Sequence, residues 1–368
     1  MKYRILLFGK LPPPHIGPAI ATSIILNSKL TNYYDLIHFD ISHHKNINDI
    51  GKIDLRNLLY TVKQYLKLVQ NIIQYKPHLV YIPSQQTTIG YLRDSLFIII
   101  AKLFRKKIVC HLRGAYFRNW YRNECGIVMQ WVIKQIQKMI DGQIVLGNNL
   151  KQLYEHLMPS NKIFVVHNGR DYIVPTKSEN CKNIVKFLFL GNYIKSKGVI
   201  DFIESCGKLP KQYLNKVQFY ISGNSLDCKE EINQFLNKNP NLPITNLGPV
   251  IGKDKKKLFA NSDVFVFPTY YRNEGHPWVI VEAIAAGLPV ISTEHAAISE
   301  SVIDGVNGYL VQKKNPQEIS EKIIELIENP VLRKNMGENS FNIYKNKFTE
   351  EKLVKNFKQV FDKILNNG

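Results

Sequence analysis

The chain has 368 residues, 45% of them hydrophobic, and a formal net charge of +19. This length predicts two domains, each with a sizeable core. The five cysteines show no paired spacing, which argues against a disulfide framework or a zinc site and favours a reducing cytosol. The apolar part of the N-terminus is too short for a signal peptide, and no apolar run approaches the roughly 18–20 residues of a membrane span. We therefore expect a cytoplasmic protein.

The positive charge is concentrated in the first half of the chain. Residues 1–175 contain 23 lysines and arginines against 9 acids, a net +14, and residues 176–368 contain 26 against 21, a net +5. This asymmetry favours a polyanionic partner such as a nucleic acid, an anionic lipid or a phosphorylated substrate. A general bias towards lysine, asparagine and isoleucine is the alternative, but it explains the asymmetry less well.

The first half alternates short buried strands with helical patterns, which predicts a parallel sheet with helices on both faces. Ligands in such sheets bind at the carboxyl ends of the strands. The predicted strands are Tyr3–Phe8, Leu36–Phe39, Leu79–Ile82, Ile108–His111, Ile144–Leu146 and Ile163–Val166, with helices near 17–30, 54–75, 90–105, 124–140 and 149–157.

Two strand ends in this half carry candidate ligand-binding residues. A Gly/Pro loop, Gly9–Thr22, follows the first strand and runs into a helix, where backbone N–H groups can meet a phosphate. His15 and Gly17 lie in this loop. His111 and Arg113 end the fourth strand, at the ligand edge of the sheet, where the arginine could meet a phosphate or an acidic group of an acceptor.

Two basic stretches in the first half leave alternatives open. Residues 93–107 combine an apolar run with five cations. This is typical of an interfacial helix on anionic lipid, but apolar residues on all sides favour a helix that covers the sheet. Tyr116–Arg122 interleaves aromatic residues with arginines around Trp120. It could stack bases, hold a sugar, contact a membrane interface, or form a wall without a ligand.

The alternation restarts after a polar segment, 173–183, which predicts a linker between domains 1–172 and 184–346. The segment Phe189–Val199 reads as strand, loop and helix, and an amphipathic helix ends the chain within 347–368. The predicted strands are Val185–Leu190, Val217–Ser222, Asp263–Phe267, Val290–Ser292 and Tyr309–Val311, and the last three predicted helices are 316–328, 330–346 and Glu350–Leu365.

A loop and helix near residues 270–291 carry two acids eight positions apart. Glu274 lies in the loop, Pro277 suits the first helical position, and Gly287 fits the left-handed position after the helix. If every step between Glu274 and Glu282 were helical, the acids would lie roughly 12 Å apart along the axis, too far for a retaining hydrolase and wide for an inverting one. Two solvated acids without a ligand are the alternative. The spacing is better explained if the two acids bind two parts of one long ligand, with an anionic group of that ligand at the helix N-terminus between them.

This segment resembles the Glu-x7-Glu signature of retaining GT-B glycosyltransferases of family 4 (glycosyl transferases group 1), and the likeness continues through Ser299–Val311. Gly9–Thr22 resembles the first glycine-rich loop of that family, and Cys110–Gly114 resembles its histidine at a strand end. Phe189–Val199 resembles its Gly-Arg-x-x-x-x-Lys-Gly element, with Asn192 where the arginine is usual. The resemblance implies an α/β GT-B fold, with two Rossmann-like domains facing across a cleft and the helix of 347–368 packed back on the N-terminal domain.

The resemblance also implies roles for individual residues. Glu282 would hold the ribose hydroxyls, Glu274 the sugar hydroxyls, and Lys197 the departing diphosphate. No metal or other cofactor is implied, and the sequence has no Asp-x-Asp motif to hold a metal. The implied residues are Glu274, His111 and Lys197 for catalysis; Gly17, Asn192, Lys195, Gly223, Gly275, His276, Pro277, Trp278 and Glu282 for donor binding; and His15, Arg113 and Trp120 for acceptor binding.

The implied reaction is transfer of a sugar from a nucleotide-sugar donor with retention of configuration, as in EC 2.4 hexosyltransferases. Because the basic half is the acceptor domain, we expect a lipid-linked glycan acceptor in bacterial capsule, O-antigen or exopolysaccharide synthesis, with peripheral contact to the inner face of the cytoplasmic membrane. The alternatives are a nucleotide-sugar epimerase or phosphorylase of the same fold, and a basic nucleic-acid-binding protein, which would leave the two acids unexplained. The base and sugar of the donor, the linkage, the oligomeric state, and whether Lys195 replaces the family arginine at Asn192 stay open.

Overall fold

The chain forms two compact units in the computed structural model, Met1–Arg170 together with Glu350–Gly368, and Asp171–Thr349. The sequence placed the domain boundaries at 172/173 and 346/347, a few residues from these changes of unit. Residues 178–183 of the predicted linker lie outside the described part of the chain. The structure describes residues 2–13, 16–42, 55–177 and 184–366.

The first unit is built on six parallel strands with helices between them. In chain order its elements are β1 (Tyr3–Gly9), α1 (Gly17–Asn27), β2 (Tyr34–Asp40), α2 (Leu55–Tyr75), β3 (Leu79–Ser84), α3 (Thr88–Leu103), β4 (Lys107–Leu112), α4 (Phe117–Asn119), α5 (Ile127–Met139), β5 (Gly142–Val145) and β6 (Ile163–Val165). Across the sheet the strands run in the order β2-β1-β3-β4-β5-β6. Residues 5–8 of β1 are fully buried, as a parallel sheet covered on both faces requires.

The second unit repeats this plan. Its elements are β7 (Val185–Leu190), α6 (Val199–Gly207), β8 (Val217–Ser222), α7 (Lys229–Lys238), β9 (Ile244–Asn246), α8 (Gly252–Ala260), β10 (Val264–Phe267), α9 (Trp278–Ala285), β11 (Val290–Thr293), β12 (Gly308–Val311), α10 (Pro316–Glu328) and α11 (Pro330–Lys347). The strand order β12-β11-β10-β7-β8-β9 is that of a doubly wound Rossmann sheet.

The last helix, α12 (Glu350–Asn366), packs in the first unit, as predicted. Its side chains Phe357 and Phe361 lie in the same buried core as Ile5 and Tyr81 of the sheet. This helix is strongly amphipathic because its apolar residues repeat at helical spacing, and burial of that face against the sheet stabilises its return.

Every strand that the sequence predicted is present within two residues of its predicted ends, so the parallel α/β fold is confirmed. Strand β9 was missed because it has only three residues and is largely exposed. The helix predicted at 149–157 is wrong. A 3-10 turn over Asn148–Leu153 stands there, and the N–H groups of Tyr154 and Leu157 bond carbonyls three residues back rather than four.

Candidate functional site

The strand order of the second unit shows where a ligand would bind. The order in which successive strands are added to the sheet reverses between the neighbouring parallel strands β7 and β10, and ligands of such sheets bind beyond the carboxyl ends of that pair. The loop after β7 carries Lys197 and the loop after β10 carries Glu274. Their Nζ and Oε2 atoms lie 3.2 Å apart, with both side chains largely buried. Two residues that the sequence predicted on separate segments are therefore in contact.

Aromatic rings restrict the position of this lysine further. The Nζ of Lys197 lies 5.3 Å from the ring centroid of Tyr271 and 5.8 Å from that of Phe267. Ring faces attract a cation, and the attraction is larger where water is excluded. The ammonium is therefore held at the carboxyl edge of the sheet before any ligand arrives.

Glycines allow the loops around this point to pack closely. Gly223 directly follows β8, and a Cβ atom on it would lie 1.9 Å from the carbonyl oxygen of Gly191. Gly198 has a φ of 84°, and its Cβ would lie 2.5 Å from the carbonyl oxygen of Pro268. Because both obstacles are backbone atoms, no side-chain movement would relieve them. Predicted donor-site Gly223 therefore serves the close approach of two strand ends.

The start of α9 presents backbone rather than side chains. His276 is buried, with its Nε2 2.6 Å from the Ser301 hydroxyl, so its imidazole is packed into the interior. Pro277 is the N-cap and not the first helical residue, a correction to the prediction. The N–H groups of Trp278 and Val279 then have no intrahelical acceptor, and the positive end of the helix dipole lies with them. This segment could therefore bind an anion through its backbone N–H groups.

The second acid of the signature is paired with a lysine that the sequence analysis missed. Glu282, on α9, is 3% exposed, and its Oε2 lies 2.5 Å from the Nζ of Lys255 on α8. Lys255 belongs to a lysine-rich run, Lys253–Lys257, and the sequence alone gives no reason to choose one lysine of this run over another. Only the packing of α8 against α9 distinguishes the one that reaches the carboxylate. Each acid of the signature thus has its own lysine.

Lys195, for which replacement of the family arginine was left open, is paired with an acid on another helix. Lys195 Nζ lies 2.6 Å from Oε1 of Glu231 on α7, with both side chains about half exposed. The backbone N–H of Lys195 donates to Asp227 as well. Asn192 is half-buried in the same loop. Because Lys195 contacts an acid of α7 whereas Lys255 contacts a signature acid, Lys255 is the stronger candidate for a second cation near the signature acids.

A second missed residue, His295, holds the loop that carries Glu274. Its Nε2 lies 2.8 Å from the carbonyl oxygen of Tyr271, and its Nδ1 lies 3.3 Å from Lys313 Nζ. A carbonyl accepts and an ammonium donates, so the imidazole donates through Nε2 and accepts through Nδ1. Burial lowers the pKa of His295, which favours this neutral form. His295 and Lys313 therefore fix the loop from β11 and β12.

The first unit carries its own polar network at the carboxyl ends of β3 and β4. The Tyr81 hydroxyl lies 2.6 Å from His111 Nδ1 and accepts a hydrogen bond of 2.9 Å from the Arg113 guanidinium. Because arginine only donates, the tyrosine proton is directed to Nδ1, and the neutral imidazole carries its own proton on Nε2. Burial, and then the charge of Arg113, hold the pKa of His111 well below 6.5. The buried Nε2 has no hydrogen-bond partner among the described residues, so it is a donor available to a ligand hydroxyl.

The other predicted residues of the first unit differ in their surroundings. Gly17 begins α1, so it stands at a helix N-terminus as expected. Trp120 is 1% exposed and its indole donates to Thr88, so its packed ring leaves no surface for a sugar and we assign it to the core. Arg113 also donates to the Pro18 carbonyl oxygen at 3.4 Å. His15 lies outside the described residues.

Neither a metal-binding cluster nor a membrane-spanning helix occurs in the part of the chain that the structure describes. Within 2–13, 16–42, 55–177 and 184–366, no group of three or more histidines, cysteines, aspartates or glutamates is placed to hold a metal ion. In the same ranges, no helix combines the length and apolar character needed to cross a membrane.

The fold is that of the GT-B glycosyltransferases. Sucrose-phosphate synthase from Thermosynechococcus elongatus has a TM-score of 0.77 against this chain at 14% identity, covering 100% of both chains. Anabaena HepE in complex with UDP has a TM-score of 0.73 at 17% identity, covering 99% of this chain and 100% of its own. Identities this low speak for the fold alone.

Sequence comparisons add a family match for part of the chain and several relatives. Residues 175–343 match the family Glycosyl transferases group 1. An uncharacterized glycosyltransferase of Methanocaldococcus jannaschii, MJ1069, is 29% identical over 285 residues, 74% of this chain and 72% of its own. The capsular polysaccharide biosynthesis glycosyltransferase CapM of Staphylococcus aureus is 30% identical over 181 residues, 48% of this chain and 46% of its own. The match to this family therefore covers nearly the whole of the second unit.

The name of a third relative states an activity. The N,N'-diacetylbacillosaminyl-diphospho-undecaprenol alpha-1,3-N-acetylgalactosaminyltransferase of Campylobacter jejuni is 26% identical over 229 residues, 60% of this chain and 54% of its own. The match with this chain thus spans about half the length of the two relatives whose names state a biosynthetic role.

Proposed function

We propose that this protein is a retaining glycosyltransferase of family 4 that transfers a hexose from a nucleoside diphosphate sugar without a metal ion. The observation that carries the proposal is the contact between Lys197 and Glu274 at the strand-order reversal of the second unit. A cation in contact with a carboxylate that lies four residues before a helix N-terminus suits a ligand that has both an anionic diphosphate and hydroxyl groups.

The chemistry needs charge stabilisation more than acid–base groups. As the bond between the anomeric carbon and the diphosphate oxygen breaks, negative charge gathers on the diphosphate, where Lys197 and the N–H groups of α9 would stabilise it. An acceptor hydroxyl forms the new bond on the same face, and its proton passes to the departing diphosphate. Glu274 would hold sugar hydroxyls and Glu282, in contact with Lys255, the ribose hydroxyls. No group of the protein forms a covalent intermediate in this scheme.

Names of relatives support a choice of donor and acceptor to test first. Anabaena HepE was solved with UDP and with UDP-glucose, so uridine diphosphate sugars are the first donors to try. CapM acts in capsular polysaccharide biosynthesis, and the Campylobacter jejuni relative is named for an undecaprenol-linked acceptor. We propose a lipid-linked glycan of a bacterial surface polysaccharide as the acceptor, with the protein at the inner face of the cytoplasmic membrane through peripheral contact.

A transfer assay with paired variants tests the proposal. The parent, Glu274→Ala and a control, Glu338→Ala in an exposed ion pair of α11, are incubated with UDP-sugars and a polyprenyl-diphosphate saccharide. We expect sugar transfer by the parent and the control, with loss of about 10²–10³-fold in Glu274→Ala. Transfer by Glu274→Ala at the parent rate would contradict the proposal. Release of an epimerised nucleotide sugar instead of a transferred one would favour the epimerase alternative.

A further inference from the structure

Three neighbouring helices of the first unit, α2, α3 and α5, expose apolar side chains in an ordered pattern. Helix α3 buries one face, which includes Phe97, Ile98 and Ala101, and therefore covers the sheet, the alternative that the sequence analysis favoured. Its other face exposes apolar side chains to solvent. Single exposed apolar residues are normal, but stripes at helical spacing are not. The exposed residues are Leu59, Val62, Leu66 and Ile73 on α2, and Ile89, Leu92, Leu96 and Leu103 at the same spacing on α3.

The start of α5 is the most exposed apolar part of this surface. Ile127 is 87% exposed, Val128 77% and Trp131 61%. Residues four apart lie on one side of a helix, so Ile127 and Trp131 project together. Burial in water-free surroundings would stabilise these side chains, and tryptophan favours the interface between lipid and water.

The exposed charges on these helices are all positive. Helices α2 and α5 contain no acidic residue, and the one acid of α3, Asp94, is buried 2.6 Å from Arg93. Asp141, directly after α5, pairs with Lys102 at 3.3 Å and offsets one charge. The cations on or next to the three helices include Lys63, Lys67, Lys102, Arg105, Lys106, Lys107, Lys134 and Lys138. Together with Asp141 and with Glu124, which precedes α5, these eight cations contribute a net +6 of the +14 of residues 1–175.

We propose that the outer surface of α2, α3 and α5 docks on an anionic lipid bilayer, with the start of α5 inserted at the interface. An anionic bilayer offers what both features require, a negative surface for the cations and an apolar interior for the side chains. A second copy of the chain would bring like charges together, which opposes self-association through this surface. The inference goes beyond the proposed function by naming the membrane-binding surface, and it rests on that function only for the reason why the protein visits a membrane.

Vesicle co-sedimentation tests the apolar contribution. The full chain is mixed with vesicles of phosphatidylglycerol and phosphatidylcholine, or of phosphatidylcholine alone, and the bound fraction is measured. We expect binding to the anionic vesicles only, and a loss on the order of tenfold in the double variant Ile127→Gln, Trp131→Gln. Val331→Gln is the matched control, because Val331 is 71% exposed on α11 of the second unit. Equal binding by the parent and the double variant would overturn the proposal.

Charge variants test the electrostatic contribution. Lys134→Gln and Lys138→Gln should each weaken binding about fivefold, and added salt should reduce the difference. Lys334→Gln, in the second unit and 77% exposed at its side chain, should bind as the parent does. An equal loss in all three variants would show that net charge, not this surface, drives binding and would overturn the proposal.

Two further measurements distinguish membrane docking from the proposed function and from self-association. Stabilisation by nucleotide sugars, measured by thermal shift, should be unchanged in the double variant, so that a failure of the proposed function and a failure of membrane docking give different results. If size-exclusion chromatography without lipid shows a dimer that the double variant loses, the surface is covered by a second copy and the bilayer proposal is contradicted.

Discussion

The two units share one architecture but present different chemistry at their strand ends. In the second unit, two largely buried carboxylates each meet a lysine, Glu274 with Lys197 and Glu282 with Lys255. In the first unit, the corresponding edge holds a neutral imidazole, His111, positioned by a tyrosine. Ion pairs can be exchanged for a charged ligand, whereas a neutral N–H donor suits an uncharged hydroxyl. We therefore expect the second unit to bind the nucleotide diphosphate.

The largest effect should come from the cation of the second unit. Lys197→Ala removes the charge placed beside the helix N-terminus, so kcat/KM for sugar transfer should fall about 10²–10³-fold. Initial rates with varied donor measure this. Lys322→Ala, which breaks an exposed pair with Glu325, is the control. A small loss in Lys197→Ala would remove the distinction between the two strand edges.

Close backbone packing should be more critical in the second unit than in the first. Gly223→Ala drives a methyl group into the Gly191 carbonyl, whereas in Gly9→Ala the obstacle is the Thr22 side chain. We expect the free energy of unfolding to fall by about 3 kcal/mol in the first variant and about 1 kcal/mol in the second. Denaturant unfolding gives both values, with Gly126→Ala, which meets nothing within 4 Å, as the reference. Equal values would mean that the loops of both units yield equally.

The missed lysine should affect donor binding more than turnover. Lys255→Met keeps the aliphatic stem but removes the cation from the buried Glu282 carboxylate. We expect the donor KM to rise about tenfold with kcat close to that of the parent, the pattern of lost uniform binding. Lys257→Met is matched, since it lies on the same helix with its side chain 66% exposed. The same KM in both variants would show that Lys255 has no special role.

The neutral histidine of the first unit should appear in the pH dependence of stability. Because the pKa of His111 is lowered in the folded state, the unfolded chain binds the proton first as the pH falls. The stabilising contribution of the neutral imidazole is therefore complete above pH 6.5 and is lost below it, at up to about 1.4 kcal/mol per pH unit. His111→Gln should have a shallower decrease than the parent in unfolding measured from pH 7 to pH 5. Parallel curves would contradict the neutral assignment.

Elements that depend on interactions between residues close in the sequence could be predicted, whereas those that depend on contacts with distant segments could not. Strands β7 and β8 could be predicted to the residue because continuous apolar runs between turn residues are local signals. The interval between Glu274 and Glu282 is also local, and it led to both acids. Strand β9 and the 3-10 turn after Gly147 were not predictable in this way, since their form depends on neighbouring segments.

The sequence analysis missed three residues of the site for the same reason. Lys255, His295 and Tyr81 act through contacts with residues that are distant along the chain, 24 to 30 positions away in each case. Trp120 shows the converse. Its aromatic and basic neighbours resembled a ligand surface, yet its indole is fully packed because tertiary contacts decide which side of a short helix faces the core.

The central claim is that the second unit binds a nucleotide sugar between the two lysine–carboxylate pairs, and thermal shift tests it most directly. Uridine, guanosine and adenosine diphosphate sugars are screened against the parent, Lys197→Ala and Glu282→Ala. A ligand that binds only the folded state raises Tm. At a ligand concentration of one hundred times Kd, the free energy of unfolding rises by about 2.7 kcal/mol. We predict that one nucleotide series raises the Tm of the parent and that both variants lose most of the shift. If no nucleotide sugar stabilises the parent, or if the variants keep the whole shift, the account of this site is wrong.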